Sequence, residues 1–211
     1  MSDPAGAGSG GFLIRTDGAA RGNPGPASAG AALYDLGRPD ARDPRAAPDA
    51  SISDYLGVQT NNVAEYTAVV RAIGLALELG ARRLELLLDS KLIVEQLGGR
   101  WRVKDAKLRP LWAEALRGLR ELPEGWVASH VPRAQNSVAD ALCNEAIDRV
   151  MVGGPPVVVR PAGRPSRLRR AQRPLPGMNS TANVALVLGL IAGVRRPARG
   201  FSAAGPRPTS E

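Results

Sequence analysis

FLIRTD, residues Phe12 to Asp17, alternates in polarity and breaks at Gly18, the pattern of a β-strand that ends on an aspartate. Working outward, SAGAALYDL (Ser28 to Leu36) and SISDYLGV (Ser51 to Val58) read as two further strands. The Pro/Asp/Arg stretch between them, Gly37 to Ala50, has the composition of a mobile hairpin tip. Three strands in succession predict an antiparallel meander. The period then lengthens: Val63, Tyr66, Val70, Ile73 and Leu77 recur at spacings of three and four, which predicts a helix over Asn62 to Leu79. RLELLLD, Arg83 to Asp89, is a compact apolar strand that again ends on an aspartate. A short helix (Leu92 to Leu97), a longer one (Ala106 to Leu119), a strand (Gly125 to Val131) and a last helix (Asn136 to Val150) follow. The order βββαβααβα specifies an α/β domain with a mixed sheet.

Composition sets limits on what surrounds this domain. The net charge of +8 points to nucleic acid until it is located. Residues 1–150 hold 18 Lys and Arg against 19 Asp and Glu, whereas residues 151–211 hold ten Arg against Glu211 alone. The basic charge belongs to the tail, and a near-neutral core that handles a polyanion must use local patches or bound cations. Half of the 18 prolines also lie beyond Met151, so residues 151–211 read as a disordered Arg/Pro/Gly-rich tail. Its one apolar run, Ala182 to Val194, falls short of the roughly 20 residues that span a bilayer. Residues 1–11 read as a flexible lead-in without the apolar run of a secretory leader. A single cysteine, Cys143, excludes an internal disulfide and multi-cysteine zinc sites and suits a reducing cytoplasm.

Four carboxylates stand out. Asp17 and Asp89 each close a strand, where a sheet presents side chains to a ligand crevice. Taken singly, Asp17 also suits a turn before Gly18, and Asp89 a helix cap. Glu65 is more informative. The polar stripe of its helix runs through Thr67, Arg71, Gly74 and Glu78, and a residue two positions away lies roughly 200° around the axis, so Glu65 faces the protein. An inward carboxylate requires a cation or several donors to offset its desolvation; the free amides of the helix N-terminus are the alternative to a cation. Asp140, read alone, fits a capping box with Ser137. If the four converge, hard oxygen ligands select Mg²⁺ or Mn²⁺, and a pair of such ions about 4 Å apart supports phosphodiester hydrolysis.

The segments that carry these carboxylates resemble the type 1 ribonuclease H family. TDGAARGNPGPASAG (Thr16 to Gly30) is similar to its first strand and turn, and TNNVAEYTAVVRAI (Thr60 to Ile73) to its first helix. LLLDSKLIVEQL (Leu86 to Leu97) is similar to its fourth strand and next helix, and HVPRAQNSVADALCNEA (His130 to Ala146) to its final loop and helix. The resemblance covers residues 12–150. It implies a ribonuclease H-like fold, a five-stranded mixed sheet with three antiparallel strands and then two parallel ones, flanked by helices. It implies endonucleolytic hydrolysis of the RNA strand of RNA–DNA hybrids by a two-metal-ion mechanism, leaving 3′-hydroxyl and 5′-phosphate ends. Two Mg²⁺ ions, or Mn²⁺ in their place, would be held by Asp17, Glu65, Asp89 and Asp140, and this overrides the reading of Asp140 as only a cap. His130, the sole histidine, matches the family's mobile histidine, which assists proton transfer or product departure.

Asn23, Asn61 and Asn62 match positions that contact nucleic acid near the cut, and amides can address the ribose 2′-OH. Asn136 joins them as a substrate-binding candidate. Lys91 stands where better-known members carry an uncharged amide, which turns that contact toward a phosphate. The family's basic protrusion is shortened here to GGRWRVKDAK (Gly98 to Lys107), where Arg100, Trp101, Arg102, Lys104 and Lys107 offer a reduced grip. A plain helix connection with Trp101 packed down is an equal reading of that segment. The expected partner is an RNA–DNA hybrid bound by a monomer, without a membrane, and the tail would contact nucleic acid or a protein. The alternatives are a related nuclease acting on another nucleic acid and a non-catalytic hybrid-binding module.

Overall fold

A computed structural model describes residues 10–161. Residues 1–9 and 162–211, with the apolar run Ala182 to Val194 and most of the expected tail, lie outside the described residues. The elements run β1 (Gly11–Ala20), β2 (Gly25–Asp35), β3 (Ala50–Gln59), α1 (Asn61–Glu78), β4 (Arg83–Leu88), α2 (Lys91–Leu97), α3 (Leu108–Arg120), β5 (Trp126–His130), α4 (Ser137–Met151) and β6 (Val157–Pro161). A single 3-10 turn, Arg133–Gln135, precedes α4. The strands form one mixed sheet in the order β5-β4-β1-β2-β3-β6, with the β1–β2–β3 meander antiparallel and β1–β4–β5 parallel. The α/β class and the mixed sheet follow the sequence pattern, but the described residues hold six strands, not five. The extra strand is Val157-Val158-Val159-Arg160-Pro161, which pairs antiparallel with β3 inside the segment expected to be disordered. Its β-branched run suits a strand, and as an edge strand it tolerates a terminal proline.

The register of the parallel ladders builds one end of the sheet. Thr16 pairs with Leu88 and Leu88 with His130, so Asp17, Asp89 and His130 gather where the parallel pairing stops. β1 itself does not end at Asp17. It continues to Ala20 against β2, because the antiparallel partner extends past the end of β4. Gly18 is therefore a strand residue and not a turn. A Cβ there would lie 2.0 Å from the Glu65 backbone nitrogen, so glycine is what lets α1 sit directly on β1. Gly30 does the same on the opposite face, where a Cβ would lie 2.3 Å from the Ala139 carbonyl oxygen of α4.

The two faces of the sheet are packed differently. Phe12, Ile14, Leu33, Leu84, Leu86 and Leu88 meet α1, α2 and α3 in the main apolar core. The buried side of α1 is richer in alanine than the valine and leucine spacing predicts: Ala64, Ala68, Ala72 and Ala76 recur every fourth residue and allow close approach to the sheet. The other face is covered by α4 and by residues 37–49, around a small apolar group of Leu13, Ala32, Tyr34, Ala41 and Leu142. The expected mobile hairpin tip is folded down there. Ala41 is buried, and Arg38 donates to Asp40, to the Ala47 carbonyl and to Asp49, whose carboxylate also accepts from the Asp35 amide. No helix among the described residues is long and apolar enough to cross a membrane.

Candidate active site

A cleft of about 390 Å³ opens at the end of the parallel ladders, lined by Asp17, Gly18, Ala19, Ala20, Asn61, Glu65, Asp89 and Arg133. The competing local roles of its carboxylates are not the ones they play. Asp17 lies within a strand, the cap of α2 is Ser90 and that of α1 is Thr60, and no side chain caps α4. Three carboxylates instead line the crevice from different elements, Asp17 from β1, Glu65 from the first turns of α1 and Asp89 from the residue after β4; Asp140, from the first turn of α4, stands beside it, paired with the lining residue Arg133.

Asp17 is the most confined, at 7% exposure, and its Oδ2 is buried with no donor among the described residues. Burial, and then the neighbouring Asp89 and Asp140 carboxylates, push its carboxyl up to about 7 from the ordinary 3.8, against the opposing pull of Arg133 and the Gly18 amide. Burial also raises Glu65, with Ser90 and Asn61 opposing and Asp89 adding to the rise. The remaining oxygens are shared with neutral or cationic donors. Asn61 Nδ2 donates to Glu65 Oε1 at 2.7 Å, and Asn136 Nδ2 to Asp89 Oδ1 at 3.1 Å. Arg133 donates to Asp140 Oδ1 at 2.8 Å, and Asn144 to Asp140 Oδ2 at 3.1 Å.

This donor set fits a hard divalent cation. An orphaned buried carboxylate oxygen, held beside two further carboxylates that raise its proton affinity, is what a bound cation would satisfy. As the side chains stand, no three His, Cys, Asp or Glu among the described residues are grouped so as to hold one ion. The partners just named account for that. Asp140 is turned to Arg133 and Glu65 to Asn61, so cation binding would exchange these donors for the ion.

His130 stands at the exposed rim, its Nε2 3.2 Å from the Asp89 carbonyl oxygen. Asn23 accepts from the Asn61 amide at 3.2 Å and so ties the β1–β2 turn to the start of α1, and Asn62 is exposed beside it. Lys91 is exposed at the first turn of α2. Trp101 is 46% exposed between the exposed Arg100 and Arg102, so the packed-down alternative does not hold; Val103 is the residue that anchors this segment in the core. Arg100 pairs with Glu95, and the buried Gln96 donates to the Arg102 carbonyl. Lys104 and Lys107 are exposed further along the same segment.

Asn136 is a correction. It is 0% exposed and donates to the Thr16 carbonyl at 2.7 Å as well as to Asp89, so it organises the carboxylates from beneath and does not face a substrate. Arg133 was legible only as part of a loop, yet it is the cation of the cleft. Cys143 lies below Asp17, its thiol donating to the Asp17 carbonyl at 3.1 Å and raised by burial.

Over residues 15–146 the chain matches the family described as Reverse transcriptase-like. It is 40% identical over 139 residues to a bifunctional protein of Mycobacterium tuberculosis, an overlap of 64% of this chain and 35% of that one, and so spans about a third of that relative's length. It is 42% identical over 139 residues to ribonuclease HI of Halobacterium salinarum, covering 63% of this chain and 62% of the relative. Among solved structures it is similar to LC11-RNase H1 in complex with an RNA/DNA hybrid, at 36% identity and a TM-score of 0.58 over 66% of this chain and 99% of that one.

Proposed function

We propose, for a chain that belongs to the type 1 ribonuclease H family, that it hydrolyses the RNA strand of RNA–DNA hybrids, leaving 3′-hydroxyl and 5′-phosphate ends. The observation that carries this reading is the buried Asp17 carboxylate, with an oxygen unpartnered among the described residues, in one cleft with Glu65 and Asp89 and close enough to Asp140 to feel its charge. These four would hold two Mg²⁺ ions, which when bound supply water activation and neutralisation of phosphate charge. The related LC11-RNase H1 binds an RNA/DNA hybrid, which supports the same substrate here.

In the reaction, water adds to phosphorus, the bond to the 3′ oxygen breaks, and that oxygen takes a proton. Within this chain, the paired strands β1 and β4 hold Asp17 and Asp89 side by side, so this part of the site is placed before substrate arrives, while Glu65 and Asp140 would exchange their present partners for the cations. His130, exposed and next to Asp89, stands where it would assist proton transfer or product departure at the rim. Asn23 and Asn61, linked to each other, and Asn62 present amides to the ribose edge, where a 2′-OH separates RNA from DNA. Lys91, Arg100, Arg102 and the exposed Trp101 continue this surface along α2 and the segment after it, as phosphate and stacking contacts for the DNA strand.

The test is cleavage of an end-labelled hybrid beside duplex DNA and duplex RNA, with Mg²⁺ and with chelator. Metal-dependent cutting of the hybrid's RNA strand alone is the expected result. Cutting of either duplex with equal efficiency would redirect the assignment to a related nuclease, and binding without cutting to a hybrid-binding module.

A further inference from the structure

We propose that Arg15 is a positioning residue, whose buried guanidinium fixes the turn at residues 133–136 and thereby sets where Arg133 and Asn136 stand against the carboxylates. The placement of Arg15 is unusual for a cation. It lies on a central strand, two residues before Asp17 on the same face, at 2% exposure, beside the apolar group of Leu13, Tyr34 and Leu142. Among the described residues it makes no ion pair. Its Nη1 donates to the Gln135 carbonyl at 2.7 Å and its Nη2 to the Arg42 carbonyl at 3.2 Å, while Nε is buried without a partner. A buried charge whose hydrogen bonds go to neutral carbonyls, with Asp43 attracting it only through space, is a poor device for stability, and an apolar side chain of similar length would be the less costly occupant.

What the guanidinium does accomplish is local. The Thr16 carbonyl accepts from Asn136 Nδ2 at 2.7 Å, so two successive residues of β1 grip two successive residues of the turn: Arg15 takes Gln135 and Thr16 takes Asn136. From that turn Arg133 reaches Asp140 and Asn136 reaches Asp89. With only one of the two attachments, the turn can pivot about Asn136 and carry Arg133 away. The bond to Arg42 braces the opposite side, since Arg42 itself pairs with Glu85 of β4 at 2.7 Å. The activity part of this inference rests on the proposed hybrid cleavage; the structural part does not.

The experiment therefore combines hydrogen exchange with kinetics on Arg15→Met and Arg15→Lys, with Arg15→Gln as a second neutral variant if Met compromises folding. In the neutral variant, the amides of Gln135, Asn136 and Asp140 are expected to exchange about tenfold faster, with those of α1 and β4 unchanged. On the hybrid, kcat is expected to fall about tenfold with KM within about twofold, and Arg15→Lys, which keeps a donor, to recover most of the loss. Unchanged exchange at the turn in the folded neutral variant, exchange accelerated evenly through the domain, or no recovery with Lys would each overturn the proposal. A wild-type protein that cuts no hybrid would instead remove the functional reading, and the exchange data would still decide the role of Arg15.

Discussion

The two faces of β1 divide the labour of this domain. Phe12 and Ile14 point into an apolar core shared with α1, α2 and α3, while Leu13, Arg15 and Asp17 point to the face covered by α4, where buried Ser28, Ser53, Cys143 and Asn136 spend their hydrogen bonds on backbone carbonyls. One strand thus contributes a dry surface for stability and a polar surface for holding a charged site. Since one residue separates the two sets, the register of a single strand fixes both. The lesson is that the polar face is kept at a cost to stability that the apolar face must offset, and substitutions on the two faces should fail in different ways.

Asp17→Asn should show the largest effect, a loss of roughly 10³-fold or more in kcat, by analogy with removal of one essential electrostatic group from an active site. Its melting temperature without metal should not fall, because the substitution removes a buried charge repelled by Asp89 and Asp140; a drop of several degrees would mean Asp17 serves the fold. Leu86→Ala, on the apolar face, should do the reverse. Its cavity should cost about 2–5 kcal/mol in denaturant unfolding while kcat per folded molecule stays near wild type.

The third way to separate the faces is pH. The Asp17 carboxyl lies near 7 in the folded, metal-free protein and near 3.8 when unfolded. Between those values the folded state holds the proton that the unfolded chain releases, so metal-free stability should decline as pH rises from about 4 to 7 and level off above. Thermal melts across that range should show the decline, and both Asp17→Asn and saturating Mg²⁺ should flatten it. An equal slope in Asp17→Asn would exclude this cause. The smallest effect should come from Gly30→Ala, where the new methyl presses on the α4 backbone at Ala139 and Cys143: a loss of about 1–3 kcal/mol, accompanied by a fall in activity because α4 carries Asp140.

Much of this was legible in the sequence, for identifiable reasons. β1, β4 and α1 declare themselves through local periodicity, but the pairing of β1 with β4, more than sixty residues apart, became visible only in the sheet itself. Glu65 could be placed facing inward from the helical period alone. What stayed hidden depends on contacts far apart in the chain. β6 follows a proline-rich turn, and its partner β3 lies about a hundred residues earlier. Gly18 resembles a turn signal, because a glycine required by an approaching helix looks the same as one required by a bend. Asn136 reads as a substrate contact at the start of the last helix until Thr16 and Asp89 are brought over it, and Arg15 fits the polar alternation of a strand without any sign that both faces are covered. Asp140 owed its assignment to family resemblance; its local pattern alone described a helix cap, which the structure does not contain.

The central claim is that the four carboxylates form a metal-dependent site for cutting RNA paired with DNA. The most direct test compares wild type with Asp89→Asn on a labelled RNA–DNA hybrid, with Mg²⁺ and with chelator, after circular dichroism shows both proteins folded. The account predicts cleavage of the RNA strand by wild type with Mg²⁺ only, and none by Asp89→Asn. Metal-dependent cleavage retained by Asp89→Asn would contradict it.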